Sequence, residues 1–246
     1  MTNRTGKRTR IIVTYDNNPY KRGLETAWGF SCVVTGPEKT ILFDTGGGGP
    51  LLMRNMEKLR IDPKKIDVIV LSHIHGDHVG GLNSFLERNS EVSVYVPKSF
   101  PKKFKDNVTA HGAKIIEVRK SLQIFKNLYS TGELGTWVYE QSLITHTDKG
   151  IIVITGCAHP GVVNIVSSAK GLIKDDVLLV VGGFHLMGES KGKIEKIISS
   201  FRKLAVRYVG PCHCSGDTAR QLFAKEYQRY FIDVGVGKVI NINDLI

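Results

Sequence analysis

The stretch Ser72-His73-Ile74-His75-Gly76-Asp77-His78-Val79-Gly80-Gly81-Leu82 sets three histidines and an aspartate within six residues, directly after the apolar run Ile66-Asp67-Val68-Ile69-Val70-Leu71. Imidazole and carboxylate donors at this spacing are the chemistry of a metal site. Zinc suits them first, with iron, manganese and nickel compatible, and the lack of a four-cysteine set argues against a closed structural zinc or an iron–sulfur cluster. An apolar, β-branched run that ends in a polar turn reads as a buried strand, so these ligands sit at the carboxyl-end rim of a sheet. There the alternate residues His73 and His75 turn toward one point and can share a metal. Gly76 permits the bend that starts the periodic stretch Val79, Leu82, Phe85, Leu86 as a helix, and Asp77 and His78 then approach a neighbouring position from the other side. The spacing therefore predicts two divalent ions.

Three more histidines occupy similar surroundings, each after an apolar strand-like run and with glycine or proline close by in the chain. His159 follows Ile151 to Ala158 and precedes Pro160-Gly161; His185 follows Val177 to Phe184; His213 follows Val206 to Cys212. All are expected on one sheet rim, whereas His111 and His146 lie in polar stretches and are expected to face solvent. Cys157, Cys212 and Cys214 cluster near these histidines and Cys32 lies in a strand-like run, a distribution that suits site chemistry or packing better than a disulfide frame. For Cys157 the residues themselves leave two readings open, a thiolate ligand and a small buried hydrophobe.

On these motifs the chain resembles the metallo-β-lactamase superfamily, whose signature His-x-His-x-Asp-His is matched by His73, His75, Asp77 and His78. Thr40-Ile41-Leu42-Phe43-Asp44-Thr45-Gly46 is similar to the superfamily's strand and Asp-Thr-Gly turn, which supports the histidine loop from behind and gives Asp44 a supporting role. More narrowly, Trp28-Gly29-Phe30-Ser31, Gly156-Cys157-Ala158-His159-Pro160-Gly161 with Asn164, Gly182-Gly183-Phe184-His185-Leu186 and His213-Cys214-Ser215-Gly216 resemble the branch of dihydropterin ribofuranosyl-aminobenzene phosphate synthase-like proteins. The similarity runs from about Thr9 to the end of the chain.

It implies an α/β fold, the four-layer αββα metallo-β-lactamase sandwich, as one domain over residues 1–246. It also implies a metal-ligand set of His73, His75, Asp77, His78, Cys157, His159, His185 and His213. Cys157 stands where most of the superfamily carries a bridging aspartate. No histidine precedes Glu140-Gln141-Ser142-Leu143 as a third-motif ligand, and His159 takes over that role from another loop. His185 or His213 then completes the second metal, with His185 alternatively a proton donor, as in related ribonuclease Z enzymes. Asp77 binds metal or orients the nucleophilic water, which makes Asp77 and His185 the catalytic candidates.

The elements that must position these residues alternate along the chain without a low-complexity linker. Strand-like runs occur at Arg10 to Tyr15, Phe30 to Thr35, Thr40 to Phe43, Val68 to Ser72, Val92 to Val96, Ile115 to Val118, Ser142 to Thr145, Ile151 to Thr155, Val177 to Val181, Val206 to Val209 and Lys238 to Asn241. Between them, Leu52, Met56 and Leu59 give one helical face. Ile194, Ile197, Ile198, Phe201 and Leu204 give a second, and Ala219, Leu222, Phe223, Tyr227 and Tyr230 a third. Gly46 to Gly49 before Pro50 lacks the lysine and hydroxyl of a phosphate loop and reads as a flexible turn beside the site.

At 246 residues, 41% hydrophobic and 23% charged, the chain can fill one substantial core. Its apolar runs fall short of the roughly 18 to 20 residues of a membrane span. Met1 to Arg10 is basic and polar without an apolar segment before a cleavage site, so a cytoplasmic protein without membrane partners is expected. Lysine and arginine exceed acidic residues by 34 to 23, a net charge of +11, concentrated at Lys7-Arg8-Thr9-Arg10, Lys98 to Lys105, Arg119-Lys120 and Lys191 to Lys203. A basic field favours anionic partners. A phosphorylated small molecule is the better match, ahead of nucleic acid, because the chain has no segment of the size that clamps RNA.

Two adjacent ions that activate a water predict hydrolysis or a related displacement. The resemblance adds a pterin-like aromatic substrate, with Trp28 and Phe184 as candidates to stack on its ring. A phosphodiesterase or nuclease with the same centre, and a non-hydrolytic iron-binding sensor, are the alternatives.

Overall fold

Alternation of buried β-branched runs with amphipathic helices builds two sheets in the computed structural model, which describes residues 9–36 and 38–245. Lys7 and Arg8 of the amino-terminal basic cluster lie outside the described residues. The first sheet contains β1 (Arg10–Tyr15), β2 (Ser31–Thr35), β3 (Thr40–Phe43), β4 (Val68–Val70), β5 (Ser93–Pro97) and β6 (Lys114–Val118), with β13 (Val239–Asn241) added at the β1 edge. The second has the order β12-β11-β10-β9-β8-β7, from β7 (Leu122–Phe125), β8 (Leu128–Ser130), β9 (Leu143–Thr147), β10 (Gly150–Thr155), β11 (Val177–Gly183) and β12 (Tyr208–Cys212). Strands β3 to β6 pair in parallel, as do β10 to β12, while β1 to β3 and β7 to β10 pair antiparallel.

Parallel strands buried on both faces read as continuous apolar runs, and ligands of such sheets collect at the carboxyl ends of the strands. Strands β4, β10, β11 and β12 each end on a candidate ligand segment.

Side-chain alternation along β10 shows how the layers form. Ile152 and Ile154 face the other sheet with Val13, Phe43, Val70 and Val181. Ile151 and Val153 face outward onto α5 (Val162–Ile173), α6 (Lys191–Lys203) and α7 (Asp217–Tyr227) through Ile165, Ile198 and Phe223. On the far side, Leu42, Ile69 and Val94 cover α1 (Gly49–Lys58), α3 (Leu82–Leu86) and α4 (Lys102–Ala110) through Leu52, Met56, Phe85 and Val108. Each of these side chains contributes about 1.5–3 kcal/mol on burial, and together they make the four-layer αββα sandwich.

Three local differences from expectation have physical causes. The helix after Gly76 is split into α2 (Gly76–Val79) and α3, because the Thr45 turn presses on it: a Cβ at Gly81 would lie 2.2 Å from the Thr45 carbonyl oxygen. The turn at Gly46 is packed rather than flexible, with Gly46 against the Tyr15 ring. The β7–β8 hairpin carries no clear strand signal because its strands are only four and three residues long and turn through Lys126-Asn127, with Asn127 at φ 62° in place of the usual glycine. Among the described residues no helix is long and apolar enough to cross a membrane.

Candidate metal centre

Asp44, just beyond β3, is fully buried and organises the histidine loop. Its Oδ1 accepts the Ser72 backbone N–H at 2.6 Å, and its Oδ2 accepts the Ser72 hydroxyl and the His78 Nδ1–H, each at 2.7 Å. Because the Ser72 hydroxyl spends its proton on Asp44, its oxygen accepts from His73 Nδ1 at 2.9 Å. His213 Nδ1 likewise faces Asn17 Oδ1 at 3.0 Å. An acceptor at Nδ1 fixes the tautomer and leaves the Nε2 lone pair free to ligate. His73, His78 and His213 are all held this way.

Their free nitrogens converge in two groups. His73 Nε2 and His75 Nδ1 lie 3.1 Å apart, and with His159 they offer three donor atoms within 4.8 Å of one another. His159 Nε2 is buried without a hydrogen-bond partner, an orphaned ring nitrogen that suits a cation. The second group is Asp77, His78, Cys157 and His213. Asp77 Oδ2 lies 3.3 Å from His213 Nε2 and 3.6 Å from His78 Nε2, and Cys157 Sγ lies 3.2 Å from His78 Nε2 and 3.4 Å from His213 Nε2. Both donor sets fit a divalent ion.

The electrostatics differ between the groups. Burial and then the neighbouring imidazoles push His73 well below the ordinary histidine range, and burial and His185 bring His159 down to about 4. Burial opposes ionisation of Asp77, but the neighbouring His213 and His78 outweigh it and hold the carboxyl well below its usual range. For His78, burial is outweighed by the Asp44 carboxylate, so its pKa rises.

Backbone strain collects here. Asp44, Ala158, His185 and His213 all adopt positive φ, between 48° and 63°, at a cost on the order of 1 kcal/mol each. They follow β3, β10, β11 and β12, so the rim is bent at four places to present these groups.

Glu140 was not singled out by residue pattern, yet it shapes both groups. It is fully buried, and its Oε1 accepts the backbone N–H of Cys157 and Ala158 while Oε2 accepts that of His159, at 2.8 to 3.0 Å. Burial, opposed by these donors, raises its pKa to about 7. An acidic residue standing where a third-motif histidine is missing was the available signal. Ser72 and Asn17 were missed too, since orienting roles leave no spacing pattern.

Of the expected site residues, His213 joins Asp77 and His78. His185 instead lies with Cys157 and Cys214. Trp28 is half-exposed, its ring centroid 4.8 Å from that of His213. Phe184 requires a correction: it is buried between Phe201 and Phe223 and belongs to the helix-covered core, where no substrate reaches it.

The family model described as the metallo-beta-lactamase superfamily matches residues 29–168. A relative from Methanocaldococcus jannaschii, 7,8-dihydropterin-6-methyl-4-(β-D-ribofuranosyl)-aminobenzene-5′-phosphate synthase, is 29% identical over 83% of this chain and 85% of its own length. A crystal structure described as a metal-dependent hydrolase of the beta-lactamase superfamily superposes with TM-score 0.80 at 29% identity, covering 95% of this chain and 99% of that one. The short form of human tRNase Z, at 15% identity and TM-score 0.64 over 95% of this chain and 99% of its own, shares the fold.

Proposed function

Because the chain belongs to the metallo-beta-lactamase superfamily, we propose that it is a single-domain, cytoplasmic metal-dependent enzyme that hydrolyses a phosphorylated, pterin-like small molecule at a dinuclear centre. One ion, zinc first, is assigned to His73, His75 and His159, and a second to Asp77, His78 and His213 with Cys157. The convergence of these two donor groups, with tautomers set by Ser72, Asp44 and Asn17, carries the reading. When bound, such ions supply Lewis acidity that lowers the pKa of water and draws charge from a phosphoryl oxygen.

The chain's own residues do the rest. Asp77, ionised at neutral pH, can accept a hydrogen bond from the attacking water and orient it. The imidazoles of His73 and His159 stay unprotonated because burial disfavours their charge. Trp28 offers a partly exposed ring beside His213. On the other side a cleft of about 480 Å³, lined by Leu134, Trp137, Val138, His159, Pro160 and Asn164, adjoins the centre. Trp137 is 97% exposed there, a second planar face for an aromatic substrate. The net charge of +11 favours a phosphate-bearing partner.

The substrate class is supported by the printed name of the archaeal relative, which combines dihydropterin, aminobenzene and ribofuranosyl phosphate. The same name favours a second reading, a synthase that uses this centre for condensation. Metal analysis of protein purified without added metal, paired with turnover of bis-p-nitrophenyl phosphate, tests the hydrolytic reading. It expects bound metal, hydrolysis abolished by chelator and recovery with zinc. A metal-loaded protein inert toward phosphoesters would contradict it, and iron in that inert protein would favour a sensor.

A further inference from the structure

Cys214 belongs to neither donor group described above, yet it is held with care. It follows β12 in a short turn, buried, and its carbonyl accepts the backbone N–H of Leu186 at 3.2 Å and of Met187 at 3.1 Å. Those bonds tie its turn to the segment carrying His185. Cys157 Sγ, Cys214 Sγ and a ring nitrogen of His185 all lie within 4.8 Å of one another. The Cys214 thiol donates to the Cys157 backbone carbonyl at 3.5 Å. His185 is exposed, so the cluster opens to solvent on one side.

Two backbone features make room for this arrangement. A Cβ at Gly183 would lie 2.6 Å from Cys214 Sγ, so only glycine admits the sulfur there. His185 takes φ 54°, a left-handed conformation that costs a non-glycine residue about 1 kcal/mol or more. Core filling explains neither: a packing cysteine needs no strained, solvent-exposed imidazole against its sulfur. Two thiols and an imidazole from three separate segments are the donor set of an open Cys₂His site.

We propose that Cys157, Cys214 and His185 form a third cation site, selective for a thiophilic divalent ion such as zinc or ferrous iron. It joins the Asp77, His78 and His213 group through a shared Cys157 thiolate, and rests on the dinuclear reading only through that shared ligand. With Cys157 already a thiolate in the second group, loading the third site deprotonates the Cys214 thiol and releases its proton to solvent. Neutral His185 supplies its ring nitrogen, and the open side leaves a position for water or an anionic ligand.

The test uses the full-length chain prepared anaerobically and loaded with zinc or, as a spectroscopic probe, with cobalt(II). Cys214→Ser and His185→Ala are each expected to hold one metal equivalent less than the parent. Cobalt-loaded Cys214→Ser should lose about two-thirds of the near-ultraviolet thiolate-to-cobalt absorption, since with the third ion gone only the bond from Cys157 to its other cobalt remains of three cobalt–thiolate bonds. His73→Ala should lose one equivalent and leave that absorption unchanged. Parental metal content and absorption in both Cys214→Ser and His185→Ala would overturn the third site. A His73→Ala chain that keeps all its metal would instead strike the two-group reading, while the thiolate absorption continues to judge the cysteine site. His185→Ala replaces an exposed side chain, so a folding defect in the buried Cys214 variant would not decide the matter.

Discussion

The two donor groups share one carboxylate behind them and differ in everything in front. Asp44 reaches His73 through Ser72 and touches His78 directly. The group of His73, His75 and His159 is all nitrogen, and burial and crowding of imidazoles keep His73 and His159 neutral. The group of Asp77, His78, His213 and Cys157 brings a carboxylate and a sulfur, and His78 is biased toward its charged form by Asp44. The first group offers geometry without charge; the second also offsets the charge of a cation. The difference teaches that adjacent sites on one sheet rim can be tuned apart by their neighbours alone.

Removing the shared support should produce the largest effect. Asp44→Ala leaves the Ser72 N–H, the Ser72 hydroxyl and His78 without their acceptor, and is expected to cost about 3–5 kcal/mol of stability, as breaking a buried pair does. Metal should be lost from both groups, which thermal melts together with metal analysis would register; loss from one group alone would show that Asp44 is not common to both.

Asp77→Asn is aimed at the charged group only. Turnover should fall by about 10²-fold or more, the scale of losing a group that orients or accepts a proton, with the melting temperature of the metal-free chain nearly unchanged because the side chain is partly exposed. Undiminished kcat would remove Asp77 from the reaction.

The histidine loop was legible in sequence because its candidate donors are local: strand, glycine bend and helix start place His73, His75, Asp77 and His78 within six residues of chain. His159 and His213 were legible as strand-end residues, and their meeting with the loop follows from the parallel pairing of β10 to β12. Glu140 and Asn17 were not legible, since their partners lie 17 to 19 and 196 residues away and only the packing of two sheets brings them together. Phe184, a stacking candidate only through the aromatic substrate that the resemblance implies, instead completes a triplet with Phe201 and Phe223, residues whose helical stripes mark them as core.

Asn17→Ala sharpens the comparison from the other side. It frees His213 to rotate and should weaken metal affinity of the charged group by about 10-fold, the lower end for loss of an orienting partner. Competition with a graded chelator should show the neutral group unaffected, and equal weakening of both would contradict their separate support.

A further effect is a difference in pH dependence. Glu140 titrates near 7 in the folded chain and near 4.5 when unfolded, so between these values the folded state carries a proton that the unfolded state has lost. Its contribution to stability is present below 4.5 and declines as pH rises toward 7. Relative to metal-free Glu140→Gln, the metal-free parent should therefore lose stability across that window, measured by denaturant melts at several pH values; a constant difference would mean that Glu140 is already ionised in the fold.

The central claim is that two cations are held side by side by separate donor groups. Metal content of His75→Ala, His213→Ala and the double variant, purified and loaded identically with zinc, tests it most directly. Each single variant is predicted to lose one equivalent relative to the parent, and the double variant to lose both, with circular dichroism unchanged. Parental metal content in the single variants, or loss of all metal on either substitution alone, would contradict the account.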